Sequence, residues 1–185
     1  MNKKLFVISG SSGVGKGTVI GGFLKRNPEF TLSISCTTRN MRPGEVDGIN
    51  YFFLTKEEFS ECVENNKFLE WAEFAGNFYG TKQKYIMQCL EDGKNLILEI
   101  DTQGAMQVKE KMPEAVLIFI APPSFEDLEK RLRGRHTEDE ETIKQRLEAV
   151  KKELERAESF DYKVINDDVE KAIQALEEII KGELV

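Results

Sequence analysis

Histidine is almost missing from this sequence: His136 stands alone, and it is read as a surface residue and not a catalyst. Cysteine is scarce too. Cys36, Cys62 and Cys89 are odd in number and far apart, with no CxxC pair and no His-rich tract. Nothing there suggests a zinc site, and reduced, mostly packing residues of a cytosolic protein are expected. No apolar run reaches the length of a membrane span, so no membrane is expected as a partner. Lys3-Lys4 precede the apolar run Leu5 to Ile8, which is too short for a secretory core and leads into glycines. A signal peptide is therefore not expected, and the compartment is read as the cytoplasm. Positive charge is in the minority, with 26 Lys and Arg against 33 Asp and Glu and a net charge of −7. A surface that grips a nucleic-acid polymer would be basic, so no such partner is expected. A small anionic ligand stays open, because a few focused Arg and Lys can outweigh the global sign locally.

What is present reads as one soluble α/β domain. Its 185 residues, 40% hydrophobic and 32% charged, suffice for a full core with room for an inserted subdomain. Leu5 to Ser9 forms a short strand bounded by Gly10, with helix-compatible residues to about Arg26. Asn95 to Ile100 and Ala115 to Ala121 are nearly continuous β-branched apolar runs, the pattern of strands buried on both faces of a parallel sheet. Gln103 to Met112 can form the crossover helix between them. Ser124-Phe-Glu-Asp127 has capping-box spacing and opens a helix through about Leu132. Thr137 opens a longer helix with Ile143, Leu147, Val150, Leu154 and Ala157 at helical spacing. Lys163 to Ile165 is a last strand, and Val169 to Ile180 a terminal amphipathic helix. A parallel sheet covered on both sides follows.

The run Gly10, Ser11, Ser12, Gly13, Val14, Gly15, Lys16 has the form GxxxxGK between a strand and a helix. Glycines let the backbone wrap phosphate oxygens, inward N–H groups and the helix N-terminus supply positive potential, and Lys16 reaches the β and γ oxygens. The next residue is Gly17, where a magnesium-binding hydroxyl is usual, and the hydroxyl comes one place later at Thr18. Nucleotide kinases of the adenylate kinase type share this GKGT. The metal is then expected to be held mostly through water, with Thr18 and Asp101 as candidates and no direct ligand assigned. Asp101-Thr-Gln-Gly104 has the DxxG form of GTPases, yet no NKxD guanine reader is present, so a GTPase is disfavoured.

Residues 35–82 break the alternating rhythm. They are rich in aromatics and turn residues and read as a mixed β-rich insertion in which most aromatics form its own core. Arg39 and Arg42 stand three apart beside a hydroxyl-rich run, and two forked guanidiniums suit a dianionic phosphate.

In order and spacing, SCTTRNMRPGEVDGINYFF, FLEWAEFAGNFYGT, LEIDTQGA, IFIAPPS, RLRGRHTEDEETIKQRL and VINDD resemble guanylate kinase across essentially the whole chain. The resemblance implies a P-loop nucleoside monophosphate kinase in three parts: a core of 1–34 and 83–185, a GMP-binding insertion of 35–82, and a helical lid about 134–141. It implies that Arg39, Arg42, Tyr51 and Tyr79 hold the GMP phosphate. Glu70 would accept from the guanine N1–H and 2-amino group with Asp101 assisting, and Ser35 and Thr81 would donate to guanine O6. Adenine lacks those two adjacent donors, so AMP would leave a buried carboxylate unpaired. Arg131, Arg135 and Arg146 are expected on the triphosphate, Arg133 in solvent, and Asn166 near the adenine edge.

The implied reaction moves the γ-phosphoryl group of Mg²⁺·ATP, lying over Gly13 to Thr18, onto the phosphate oxygen of GMP. Alignment and charge compensation suffice, with Lys16, Arg39, Arg135 and Arg146 as the catalytic set and no general base, since the attacking phosphate is already an anion. Two alternatives remain: an inactive guanylate kinase-like protein-binding module, and a kinase for another nucleoside monophosphate. Lys16 and the absence of companion domains argue against the first, and Glu70 with Ser35 and Thr81 against the second. A monomer or homodimer is expected.

Overall fold

The computed structural model describes residues 4–133 and 140–185, apart from the side chains of Arg131 and Leu132. The chain begins with β1 (Leu5–Gly10), α1 (Lys16–Arg26) and β2 (Phe30–Leu32). It continues through β3 (Cys36–Thr37), β4 (Phe52–Phe53), α2 (Lys56–Glu64), β5 (Phe68–Phe74) and β6 (Asn77–Lys82). There follow α3 (Gln83–Glu91), β7 (Asn95–Glu99), α4 (Thr102–Lys111) and β8 (Val116–Ala121). The last elements are α5 (Phe125–Arg133), α6 (Glu140–Ala157), β9 (Tyr162–Ile165) and α7 (Val169–Glu183).

Five strands form a parallel sheet in the order β2-β7-β1-β8-β9. Side chains alternate faces along a strand, and both faces here are apolar. Phe6 and Ile8 of β1, Ile97 of β7 and Ile118 and Ile120 of β8 point into a core shared with α1 and α7. Leu5, Val7, Leu96, Leu98 and Leu117 point the other way, into a core shared with α3 and α4. Burial on both sides is what made these runs read as continuous. No helix among the described residues is long and apolar enough to cross a membrane.

The stretch that broke the rhythm forms a second sheet, mixed in direction, in the order β4-β3-β6-β5. Its core gathers Phe59, Phe68, Phe52, Trp71 and Phe78. Tyr51, Phe74 and Tyr79 line the cleft between the sheets instead. Helix α2 was not expected within this stretch. Thr55 starts it with a full capping box: its hydroxyl accepts from the Glu58 N–H at 3.1 Å while the Glu58 carboxylate accepts from the Thr55 N–H at 2.7 Å.

Candidate active site

A cleft of about 580 Å³ opens where β1 and β7 end, between the two sheets. Its near wall runs from Gly10 at the end of β1, through the loop, to Gly17 in the first turn of α1. Gly13 and Gly15 take φ of 81° and 88°, values L side chains adopt at a cost, and this lets the loop curl before α1 begins at Lys16. Among the described residues, the Ser11 and Ser33 hydroxyls, both on the cleft wall, are buried without a hydrogen-bond partner. A buried polar atom in that state is explained by strain, a catalytic role, or a bound water or ion. Gly17 lines the cleft, whereas Thr18 is exposed and outside the lining.

Asn166 lies beneath this loop, not at an open edge. It is 4% exposed, and its Nδ2 donates to the Val14 carbonyl at 2.7 Å. Its amide N–H thus supports the loop backbone, while its Oδ1 is buried without a hydrogen-bond partner.

The far wall carries the expected base-reading residues. Glu70 lies on β5 at 4% exposure, and the Thr81 hydroxyl of the paired β6 donates to its Oε1 at 2.6 Å. Ser35 Oγ lies 3.4 Å from Thr81 Oγ1, so the three side chains form one connected string. A hydroxyl has a single proton to give. Thr81 is fully buried and gives it to Glu70 in this structure, which orients the carboxylate. Burial pushes the Glu70 carboxyl up to about 7, with Thr81 opposing and the charge of Asp101 adding to the rise. Asp101 lines the cleft and caps α4, accepting from the Gly104 N–H at 2.7 Å.

Toward the rim, the Tyr51 and Tyr79 rings meet edge to face at 6.2 Å. The Arg39 guanidinium lies 5.4 Å from the Tyr51 ring centre. It also makes a forked pair with Glu45, at 3.0 and 2.8 Å. That bond, helped by the Arg42 N–H, holds the Glu45 carboxyl down at about 2. The guanidinium is thereby held in a fixed orientation beside the two tyrosine rings. Arg42 is exposed and outside the cleft lining.

Helix α6 closes the third side. Arg146 Nη2 donates to Ser12 Oγ at 3.0 Å, which brings this arginine to the phosphate loop. Arg133 is exposed and makes surface ion pairs with Glu129 and Glu140, at 2.9 and 2.5 Å. The expectations for Arg135 and His136, most of the lid, and the Arg131 side chain lie outside the described residues.

The whole chain can be matched to known proteins. Residues 2–183 fit the family model described as guanylate kinase. The chain belongs to the guanylate kinase family. A curated guanylate kinase from Bacillus anthracis is 51% identical over 180 residues, 97% of this chain and 88% of that protein. The crystal structure of guanylate kinase from Anaplasma phagocytophilum superposes with TM-score 0.78 at 33% identity, covering 98% of this chain and 86% of that one. Shikimate kinase from Bacteroides thetaiotaomicron, at TM-score 0.53, 15% identity and coverage of 96% and 98%, shares the fold alone.

Several residues of the cleft escaped the sequence reading, and Glu153 is the one that reaches the phosphate loop. It accepts from the Ser12 N–H of that loop at 3.2 Å. Burial raises its carboxyl, with the Ser12 bond and the charge of Lys16 pulling the other way. A local clue existed. Arg146 and Glu153 are two turns apart on α6, each three residues beyond a buried apolar position, Ile143 and Val150.

Proposed function

We propose that the chain transfers the γ-phosphoryl group of ATP to GMP, giving GDP and ADP, as a cytoplasmic enzyme of purine nucleotide metabolism. The observation that carries this is the placement of a buried carboxylate, Glu70, at the opposite wall of one cleft from a glycine phosphate loop. Guanine offers N1–H and a 2-amino group side by side, and two carboxylate oxygens match them. Adenine offers no such pair, and a buried reader left unpaired disfavours it.

The residues divide the work by position. N–H groups of Gly13 to Thr18 and the Lys16 ammonium hold the triphosphate. Tyr51, Tyr79, Arg39 and, once the insertion closes, Arg42 hold the acceptor phosphate. Arg146 and Arg135 compensate charge that develops on the transferred group. Closure of the insertion of 35–82 and the lid about 134–141 excludes water, which would otherwise take the phosphoryl group.

Magnesium fits this donor set as a companion of the triphosphate. No group of three or more metal-binding side chains stands together among the described residues. The carboxylates of Asp101 and Glu153 do line the cleft. One or two carboxylates with phosphates and water make the usual magnesium environment; Asp101 and Glu153 would hold the ion there, and it would supply charge neutralisation for the triphosphate.

The test is initial ADP formation with Mg²⁺·ATP and GMP, AMP, CMP or UMP in turn. Turnover with GMP alone is expected. Turnover with another monophosphate would overturn the base reader, and none with any, in a folded protein that still binds GMP, would favour a binding module.

A further inference from the structure

Strand β5 is an edge strand, paired only with β6. An edge leaves backbone donors and acceptors without a ladder partner, and here helix α4 of the core serves them. Gln107 Nε2 donates to the Trp71 carbonyl at 2.8 Å, and its Oε1 accepts from the Trp71 N–H at 3.2 Å. Lys111 Nζ donates to the Phe68 carbonyl at 3.0 Å. Gly104, Gln107 and Lys111 are spaced by three and four residues and so share one face of α4.

Gly104 is the odd member of that face. It lies within the helix and has no positive φ, so the backbone does not require glycine there. Glycine inside a helix is less stable than alanine. What glycine provides is room. A Cβ at position 104 would stand 2.6 Å from Glu70 Oε2 and 3.3 Å from both Glu70 Cδ and Ile100 Cδ1. Of these atoms the Glu70 carboxylate is the shortest contact and the freest to yield. A side chain at 104 would therefore press first on the carboxylate.

We propose that α4 positions the base reader: Gly104 leaves the space in which the Glu70 carboxylate stands, and Gln107 fixes the height of β5 that delivers it. Both act through Glu70 and are positioning residues, and the proposal rests on the reading of Glu70 as the guanine reader. Displacing a positioned group by about 1 Å can cost about 100-fold in rate. The cost here falls on the base and not on the triphosphate.

The experiment compares Gly104→Ala, Gln107→Met, Glu70→Gln and the double variant G104A/E70D, using GMP and inosine monophosphate, which lacks the 2-amino group. G104A is expected to raise KM for GMP about 10- to 100-fold and to leave KM for ATP unchanged. Its preference for GMP over inosine monophosphate should shrink, because the displaced carboxylate no longer meets the 2-amino group. In the double variant the shorter Asp side chain should recover part of that preference relative to G104A. Thermal midpoints confirm folding, and should G104A not fold, Q107M carries the same preference test. If E70Q loses the preference while G104A and Q107M keep it, the proposal fails and the reading of Glu70 stands. Equal losses for both substrates in G104A would assign α4 a merely structural role and overturn the proposal. A wild-type preference in E70Q would overturn the reading of Glu70 and the proposal with it.

Discussion

The carboxyl of Glu70 titrates in an unusual place. Burial lifts it from the ordinary 4.5 to about 7, so near neutral pH it is partly protonated in the free protein. A protonated carboxyl cannot accept two hydrogen bonds from guanine. GMP must therefore favour the ionised form, and binding should release a proton. The Kd for GMP is expected to fall as pH rises from about 6 to about 8, with proton release seen by calorimetry in buffers of different ionisation heat. The phosphate of GMP also titrates near pH 6, and E70Q, which keeps that phosphate effect, isolates the share due to Glu70. An equal slope in E70Q would remove Glu70 from the account. The effect on stability has the opposite sign. Between about 4.5 and about 7 the folded chain holds a proton that the unfolded chain has lost. Stability from this group thus declines as pH rises through that window, by about 3 kcal/mol at most. Glu70 could be named from sequence because it stands inside a distinctive run. Gln107 could not, since its bonds to Trp71 span 36 positions and no local pattern encodes them.

At the scale of elements, legibility followed burial. Strands β1, β7 and β8 were readable because both their faces are apolar, which leaves a run with no polar interruption. Strand β2, three residues with burial falling from Phe30 to Leu32, offers too short a pattern. Helix α2 was hidden by the aromatics around it, although Thr55 and Glu58 have capping spacing. That box is a testable part of the insertion. Thr55→Ala should lower stability by about 1 kcal/mol, read as a shifted denaturant midpoint with an unchanged slope. KM for ATP should not move, because α2 contributes no residue to the cleft lining. A loss several times larger would mean that α2 organises the whole second sheet.

For the molecule as a whole, the cleft has walls from both sheets and from α6, so a nucleotide filling it bridges separate bodies of the fold. GMP at 100 times its Kd should add about 2.7 kcal/mol to stability, which for a chain of this size raises Tm by about 5–10 °C. E70Q should lose most of the rise with GMP and keep the rise with ATP; loss of both would mean that Glu70 supports the cleft and does not read the base. The topology also bears on how the protein is made. Central strand β1 is the first to be synthesised, yet Leu5 pairs with Leu96 and Phe6 with Val116. The β5–β6 hairpin, by contrast, joins neighbours in the chain and can close on the order of microseconds. On a ribosome β1 must wait unpaired until β7 and β8 emerge, and long-range parallel pairing is slow. The phosphate loop hangs from the end of β1. A nascent chain would thus possess the hairpin that carries Glu70 well before it could hold a triphosphate, and ATP could not act as a template for the early steps of its folding.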